Sequence, residues 1–175
     1  MQKIIPFLWY DNEAGEAARF YTSVFKGSRI KEMSTLENTP SGTVEIATVE
    51  LLGQEFQLMS AGPLFKFNES ISFVVQCETQ EEIDYYWEKL SADSRSEQCG
   101  WLKDKFGVSW QIVPSVLSEL LKTGDKKKSA RVTEAFLKMK KFDIAALQKA
   151  FDGEGAEKEG SIANRRISES KGGKR

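Results

Sequence analysis

Residues 7–21, FLWYDNEAGEAARFY, and residues 73–87, FVVQCETQEEIDYYW, decide the fold, because each sets a short aromatic and β-branched run directly before an amphipathic one. In the first, the run from Lys3 to Tyr10 suits a buried strand. Asp11 and Asn12 stop it and offer side chains to cap a helix. Ala14, Ala17, Ala18, Tyr21, Val24 and Phe25 then fall on one helical face, and Gly27 is placed to end it. In the second, Ser70 to Cys77 reads as a strand, and Thr79 with Glu82 forms a capping box. Ile83, Tyr86, Trp87 and Leu90 supply the apolar face of the helix that follows.

Outward from these anchors the pattern is strand-rich. Residues 28–36, 43–51 and 54–60 are predicted strands, with Leu52-Gly53 as the turn of a hairpin. Residues 97–103 and 108–114 flank Asp104-Lys105-Phe106-Gly107. A turn centred on Lys105-Phe106 would pair Gln111 with Gly100 and Trp110 with Trp101. The order β-α-β-β-β therefore occurs twice, an internal duplication of about 60 residues in an α+β chain. The expected organisation is a first module over 1–62, a second over 70–122, and C-terminal helices over 123–151. Pro114 would start a helix over 115–122, Gly124 would stop it, and Asp143 would cap the last helix. Residues 152–175 are rich in glycine and charge, and are expected to form a disordered tail.

Composition narrows the chemistry. The chain has 175 residues, with 25 lysines and arginines against 26 aspartates and glutamates, so its net charge of -1 gives no electrostatic reason to bind nucleic acid or an anionic membrane. It has no histidine, which removes every Ser-His-Asp or Cys-His relay and every histidine-ligated metal site. Cys77 and Cys99 lack C-x-x-C spacing and are too few for a thiolate metal site. A disulfide between them stays open at this stage, although two reduced thiols are expected in a cytoplasmic protein without a secretory signal. No apolar stretch is long enough to span a membrane.

The segments PFLWYDNEAGEAARFYTSVF (6–25), LLGQEFQLMSAGPLFKFNESISFVV (51–75) and CGWLKDKFGVSWQIVP (99–114) resemble the vicinal oxygen chelate superfamily, which includes glyoxalase I and bleomycin-resistance proteins. Within it they are most similar to the 3-demethylubiquinone-9 3-methyltransferase-like, PhnB-like branch, over about Ile4 to Phe151. The resemblance implies two βαβββ-type modules whose mixed sheet curves into a cup, and a homodimer. It also implies one divalent metal, with a ligand from each of four strands. Those positions fall here on Ile5, Gln57, Ser72 and Gln111. Isoleucine cannot ligate, and neutral amides and a hydroxyl repay the dehydration of a divalent ion poorly, so no metal and no cofactor is expected. No glycine-rich strand-to-helix turn is present to hold S-adenosylmethionine.

Strand alternation assigns the residues that would face a ligand. Phe7 and Trp9 come from the first strand, Thr48, Gln57 and Met59 from the first hairpin, and Ser72 and Val74 from the repeated strand. Gln98, Leu102 and Gln111 come from the second hairpin, with Cys99, Trp101, Trp110 and Ile112 turned away toward the helices. This predicts an aromatic-walled cavity with a few neutral polar groups, suited to a planar or amphipathic small molecule. Gln57 and Gln111 could equally close on each other or on Ser72. Two functions follow: a metal-free small-molecule-binding protein, or an enzyme of the methyltransferase or glyoxalase/lyase type. A carboxylate in the cup would favour the enzyme, and Glu45, Glu50 and Glu55 are the strand candidates.

Overall fold

The computed structural model describes residues 2–153. Its elements are β1 (Phe7–Tyr10), α1 (Ala14–Val24), β2 (Arg29–Thr39), β3 (Gly42–Leu51), β4 (Gln54–Ser60), β5 (Phe73–Cys77), α2 (Gln80–Leu90), β6 (Trp101–Lys103), β7 (Ser109–Pro114), α3 (Val116–Leu121), α4 (Lys126–Leu137) and α5 (Ile144–Asp152). Four strands form one sheet in the order β1-β4-β3-β2, and three form another in the order β5-β7-β6. The α+β class and the first β-α-β-β-β module are as the sequence predicts. The repeat has the order β-α-β-β, one strand fewer among the described residues. The chain divides into two compact units: Met1–Phe73 with Glu88–Ser94 and Lys103–Trp110, and Val74–Trp87 with Arg95–Leu102 and Gln111 onward.

In the first unit, β1 pairs parallel with β4, while β3 pairs antiparallel with both β4 and β2. The face carrying Leu8, Tyr10, Ala47, Val49, Phe56 and Leu58 is buried, and so is the helical face of Ala14, Ala17, Ala18, Tyr21 and Val24. The β3–β4 turn is tight, with positive φ at both Leu52 (48°) and Gly53 (84°), the two-residue geometry that matches strand twist.

The start of α1 departs from expectation. Asp11 and Asn12 do not cap it; the N-cap is Glu13, which makes no side-chain capping bond. Its orphan amides are met instead from the sheet. Ala14 N–H donates to Ser60 Oγ at 2.9 Å and Gly15 N–H to a Glu45 carboxylate oxygen at 3.1 Å. Glu45, a candidate cup carboxylate in the sequence, is thus a helix cap supplied from β3.

In the second unit, Thr79 Oγ1 accepts from Glu82 N–H as the capping box requires, while the Glu82 carboxylate takes the amide of Glu78 rather than Thr79. Asp125 and Asp143 cap α4 and α5 through their side chains. Arg131 donates to the carbonyls of Ala150 and Phe151 at the end of α5. Pro114 closes β7 rather than opening a helix, and α5 continues through Asp152 to a left-handed Gly153. The remainder of the expected tail, 154–175, lies outside the described residues. Among those described, no helix is long and apolar enough to cross a membrane.

The second hairpin has a different register from the one predicted. Asp104 N–H bonds to the Val108 carbonyl at 3.0 Å, and Ile112 N–H to the Gly100 carbonyl at 2.8 Å. The loop therefore holds three residues, Lys105 to Gly107, with Gly107 at φ 84°. One extra residue in the loop moves each partner by one place and exchanges the faces. Leu102 consequently shares a side with Gly100 and Ile112 rather than with Gln111, and is only 1% exposed.

Candidate functional site

Pairing in the four-stranded sheet brings the first-module candidates onto one face. Phe7 lies opposite Gln57 and Trp9 opposite Met59 across β1 and β4, while Thr48 opposes Gln57 and Ile46 opposes Met59 across β3 and β4. This face is only half-buried, in contrast to the helix-covered one. Trp9 and Met59 line a cavity of about 320 Å³ together with Leu36, Val44, Ala61 and Leu64, and Thr39, Pro40 and Ser41 complete its wall. The Trp9 indole N–H is already given to the Gly62 carbonyl at 2.8 Å, and Phe65 meets its ring edge-on at 5.1 Å. What Trp9 offers the cavity is therefore a fixed aromatic surface.

The remaining candidates are placed as follows. Ser72 is half-buried immediately before β5, Val74 is 53% exposed within it, and Gln111 is half-buried in β7. Gln98 is exposed and donates from its side chain to the Leu137 carbonyl at 3.0 Å. Cys99 is not buried among tryptophans. Its φ of 50° turns it aside, its amide bonds to the Met139 carbonyl at 2.8 Å, and its thiol lies near the Leu137 carbonyl. Both cysteines are free thiols. Cys77 is fully buried, and burial, with the charges of Glu82 and Glu78, pushes its pKa up to about 12.

The three candidate carboxylates, Glu45, Glu50 and Glu55, are all engaged, and β2 adds Glu32, which stands opposite Thr48. Glu50 pairs with Arg29 and Glu55 with Lys31, so neither is simply solvated, and Glu45 caps α1. The carboxylate with a raised pKa is one that strand reasoning passed over. Asp104, 3% exposed at the β6–β7 turn, accepts from the Tyr21 hydroxyl at 2.7 Å and Trp110 Nε1 at 2.8 Å on one oxygen. Its other oxygen takes the amides of Phe106 and Val108. Burial raises its pKa and outweighs the four donors that lower it. Burial also raises the phenols of Tyr21 and of Tyr10, whose hydroxyls lie 3.2 Å apart. The sequence signal was an Asp four residues before a β-branched residue with Gly between, the mark of a side chain that closes its own turn.

The superfamily's divalent metal does not fit these residues. Ile5, Gln57, Ser72 and Gln111 present no anionic donor, and no three aspartate, glutamate or cysteine side chains among the described residues gather as ligands would.

The family described as 3-demethylubiquinone-9 3-methyltransferase matches residues 2–113. The match stops before α3, short of the expected limit at Phe151. The PhnB protein from Bacillus cereus is 36% identical, with a TM-score of 0.55, over 65% of this chain and 100% of its own. FosX, the fosfomycin resistance protein of Listeria monocytogenes, is 14% identical with a TM-score of 0.52, over 70% of this chain and 98% of its own, a likeness of fold alone. No curated protein matches the chain. With the module order, the parallel β1–β4 pairing and these matches in hand, the chain belongs to the 3-demethylubiquinone-9 3-methyltransferase, PhnB-like family of the vicinal oxygen chelate superfamily.

Proposed function

We propose that this protein binds a small, largely apolar molecule on the open face of its four-stranded sheet, without a divalent ion. The observation that carries this is the Trp9–Met59 pair: parallel register sets them side by side, and both line the same apolar cavity of about 320 Å³. That volume is at the lower end of ligand sites, enough for a planar molecule of one or two rings. Gln57 and Thr48, one step along the face, supply neutral hydrogen-bonding groups of the kind that orient such a ligand. The engagement of Glu50 and Glu55, which share this face, in two ion pairs supports binding over acid–base chemistry there. We read the protein as a homodimer, a reading supported by the exposure of Ile4 (88%), Leu64 (72%) and Ile71 (71%). Two free thiols accord with a reducing compartment such as the cytoplasm.

Native mass spectrometry of protein purified without chelator tests the metal-free claim, and a fluorescence titration with 2-naphthol tests the cavity. The expected result is a subunit mass without a divalent ion and a saturable change in tryptophan emission. Trp9→Phe or Met59→Lys should abolish that change. One retained divalent ion per chain, or a 2-naphthol response unaltered by both variants, would overturn the reading.

A further inference from the structure

Met59 carries a chemistry that ligand binding does not use. Its thioether is the one sulfur in the lining of the Trp9–Met59 cavity, and the residue is half-buried on the open face. A thioether is a weak hydrogen-bond acceptor, and its oxidation by peroxide turns an apolar side chain into a polar one. Met33, the other methionine within this sheet, is set apart by register. It pairs with Ala47, which is 0% exposed on the buried face, whereas Met59 pairs with Ile46. Neighbouring residues of a strand point to opposite faces, so Met33 lies on the far side of the sheet from the cavity.

The cavity wall is poorly equipped to answer an oxidised sulfur. Among the described residues its lining has no charged side chain. The Trp9 indole N–H is given to the Gly62 carbonyl, and the Thr39 hydroxyl donates to the Gly42 carbonyl at 2.8 Å. Ser41 stands at the exposed tip of the β2–β3 hairpin. A sulfoxide oxygen in this wall therefore takes its hydrogen bonds from water. An apolar ligand that displaced the water would leave that oxygen unpaired.

Building on the binding reading above, we propose that Met59 is a modification site, oxidised by hydrogen peroxide to the sulfoxide, and that this oxidation releases the ligand. The sulfur lone pair attacks one peroxide oxygen, and an S–O bond forms as the O–O bond breaks. The proton on the transferred oxygen passes to the departing hydroxide, which leaves as water. Sulfur loses two electrons and the peroxide gains them. Methionine sulfoxide reductases, one for each sulfoxide epimer, reverse the change with electrons from a thiol reductant.

Full-length protein is treated with hydrogen peroxide, then with dithiothreitol to restore its thiols, and its affinity is read by equilibrium dialysis. The probe is 2-methoxynaphthalene, which lacks the hydroxyl donor by which 2-naphthol would answer a sulfoxide. Untreated protein should bind it saturably. Treated protein should bind about tenfold more weakly, the cost of one unpaired polar group, with an added oxygen mapped to Met59. Incubation with both reductases should restore the affinity. Saturating probe should slow oxidation of Met59 and leave that of Met33 unchanged. A protein carrying Met33→Leu and Met139→Leu should lose affinity on treatment as the wild type does. An unchanged affinity with Met59 oxidised, a Met59 that stays reduced while Met33 is oxidised, or a loss that the reductases do not reverse would overturn this proposal alone. Absence of saturable binding in untreated protein would overturn the binding reading, and this proposal with it.

Discussion

Gly15 has no side chain where the Glu45 carboxylate stands. A β-carbon built on Gly15 would lie 2.7 Å from both carboxylate oxygens, the same carboxylate that accepts the Gly15 amide at 3.1 Å. The glycine and the glutamate are one device, which lets a strand reach the first turn of a helix and cap it.

In an ordinary helix Gly→Ala stabilises by about 1 kcal/mol. Here Gly15→Ala should destabilise by about 1 kcal/mol, because the carboxylate is displaced and its capping bond lost. Glu45→Ala alone should cost a similar amount. In the double variant the alanine meets no carboxylate, so the two losses should not add. Chemical denaturation of the four proteins checks this, and strict additivity would refute the coupling.

Asp104→Asn tests the buried carboxylate. The amide can still accept from Phe106 and Val108, but its NH₂ faces Trp110 Nε1, another donor, and leaves that indole unpaired. A loss of about 1–3 kcal/mol is expected from denaturation curves.

The pH dependence follows from the same group. Burial holds its folded pKa above the ordinary aspartate value of 3.8, so between those two values the native state holds a proton that the unfolded chain releases. The Asp104 contribution is therefore fully present below 3.8 and falls as pH rises through the folded pKa. The deficit of Asp104→Asn should be larger near pH 4 than near pH 8. Exposed Asp84 and Glu134, lowered by Lys141 and Lys138 respectively, act in the opposite sense, losing their contribution as pH falls through their folded values. Paired melts of wild type and variant across this range give the difference directly.

Leu52 adopts φ 48° at the β3–β4 turn and is 58% exposed, so it bears left-handed strain without packing in return. Leu52→Asn makes the Asn-Gly pair that this turn favours. A gain of about 1 kcal/mol is expected in the same denaturation assay.

The two thiols should differ in reactivity. Cys77 is 0% exposed with its pKa near 12, whereas Cys99 is half-buried at a turn. At pH 8, native protein should take up one equivalent of iodoacetamide by intact mass, and Cys99→Ser should take up none.

The sequence carried the fold because its strands and helices are written locally. β4 was bounded at Gln54 and Ser60 by period and turn alone, and Asp143 was legible as a cap. The first-module face was legible too, since a two-residue turn at Leu52-Gly53 fixes the Thr48–Gln57 pairing by counting. The same counting failed at Asp104, where a left-handed Gly107 lengthens the loop by one residue and moves Leu102 to the other side. The caps of α1 were hidden for a different reason. Ser60 and Glu45 lie 46 and 30 residues from the amides they serve, and no local pattern registers a partner at that separation.

The chain beyond the family match reaches back into it. The amides of Cys99 and Gly100, just ahead of edge strand β6, bond to the carbonyls of Met139 and Lys140 at 2.8 and 2.7 Å. Phe142 sits so close to Gly100 that a β-carbon there would fall 2.3 Å from its ring. A protein shortened to Pro114 would thus lose a cover rather than an ornament. The approach to β6 would be left with two unanswered donors, the feature by which one sheet recruits a strand from another molecule. Shortened versions should therefore be judged by their solubility before their activity.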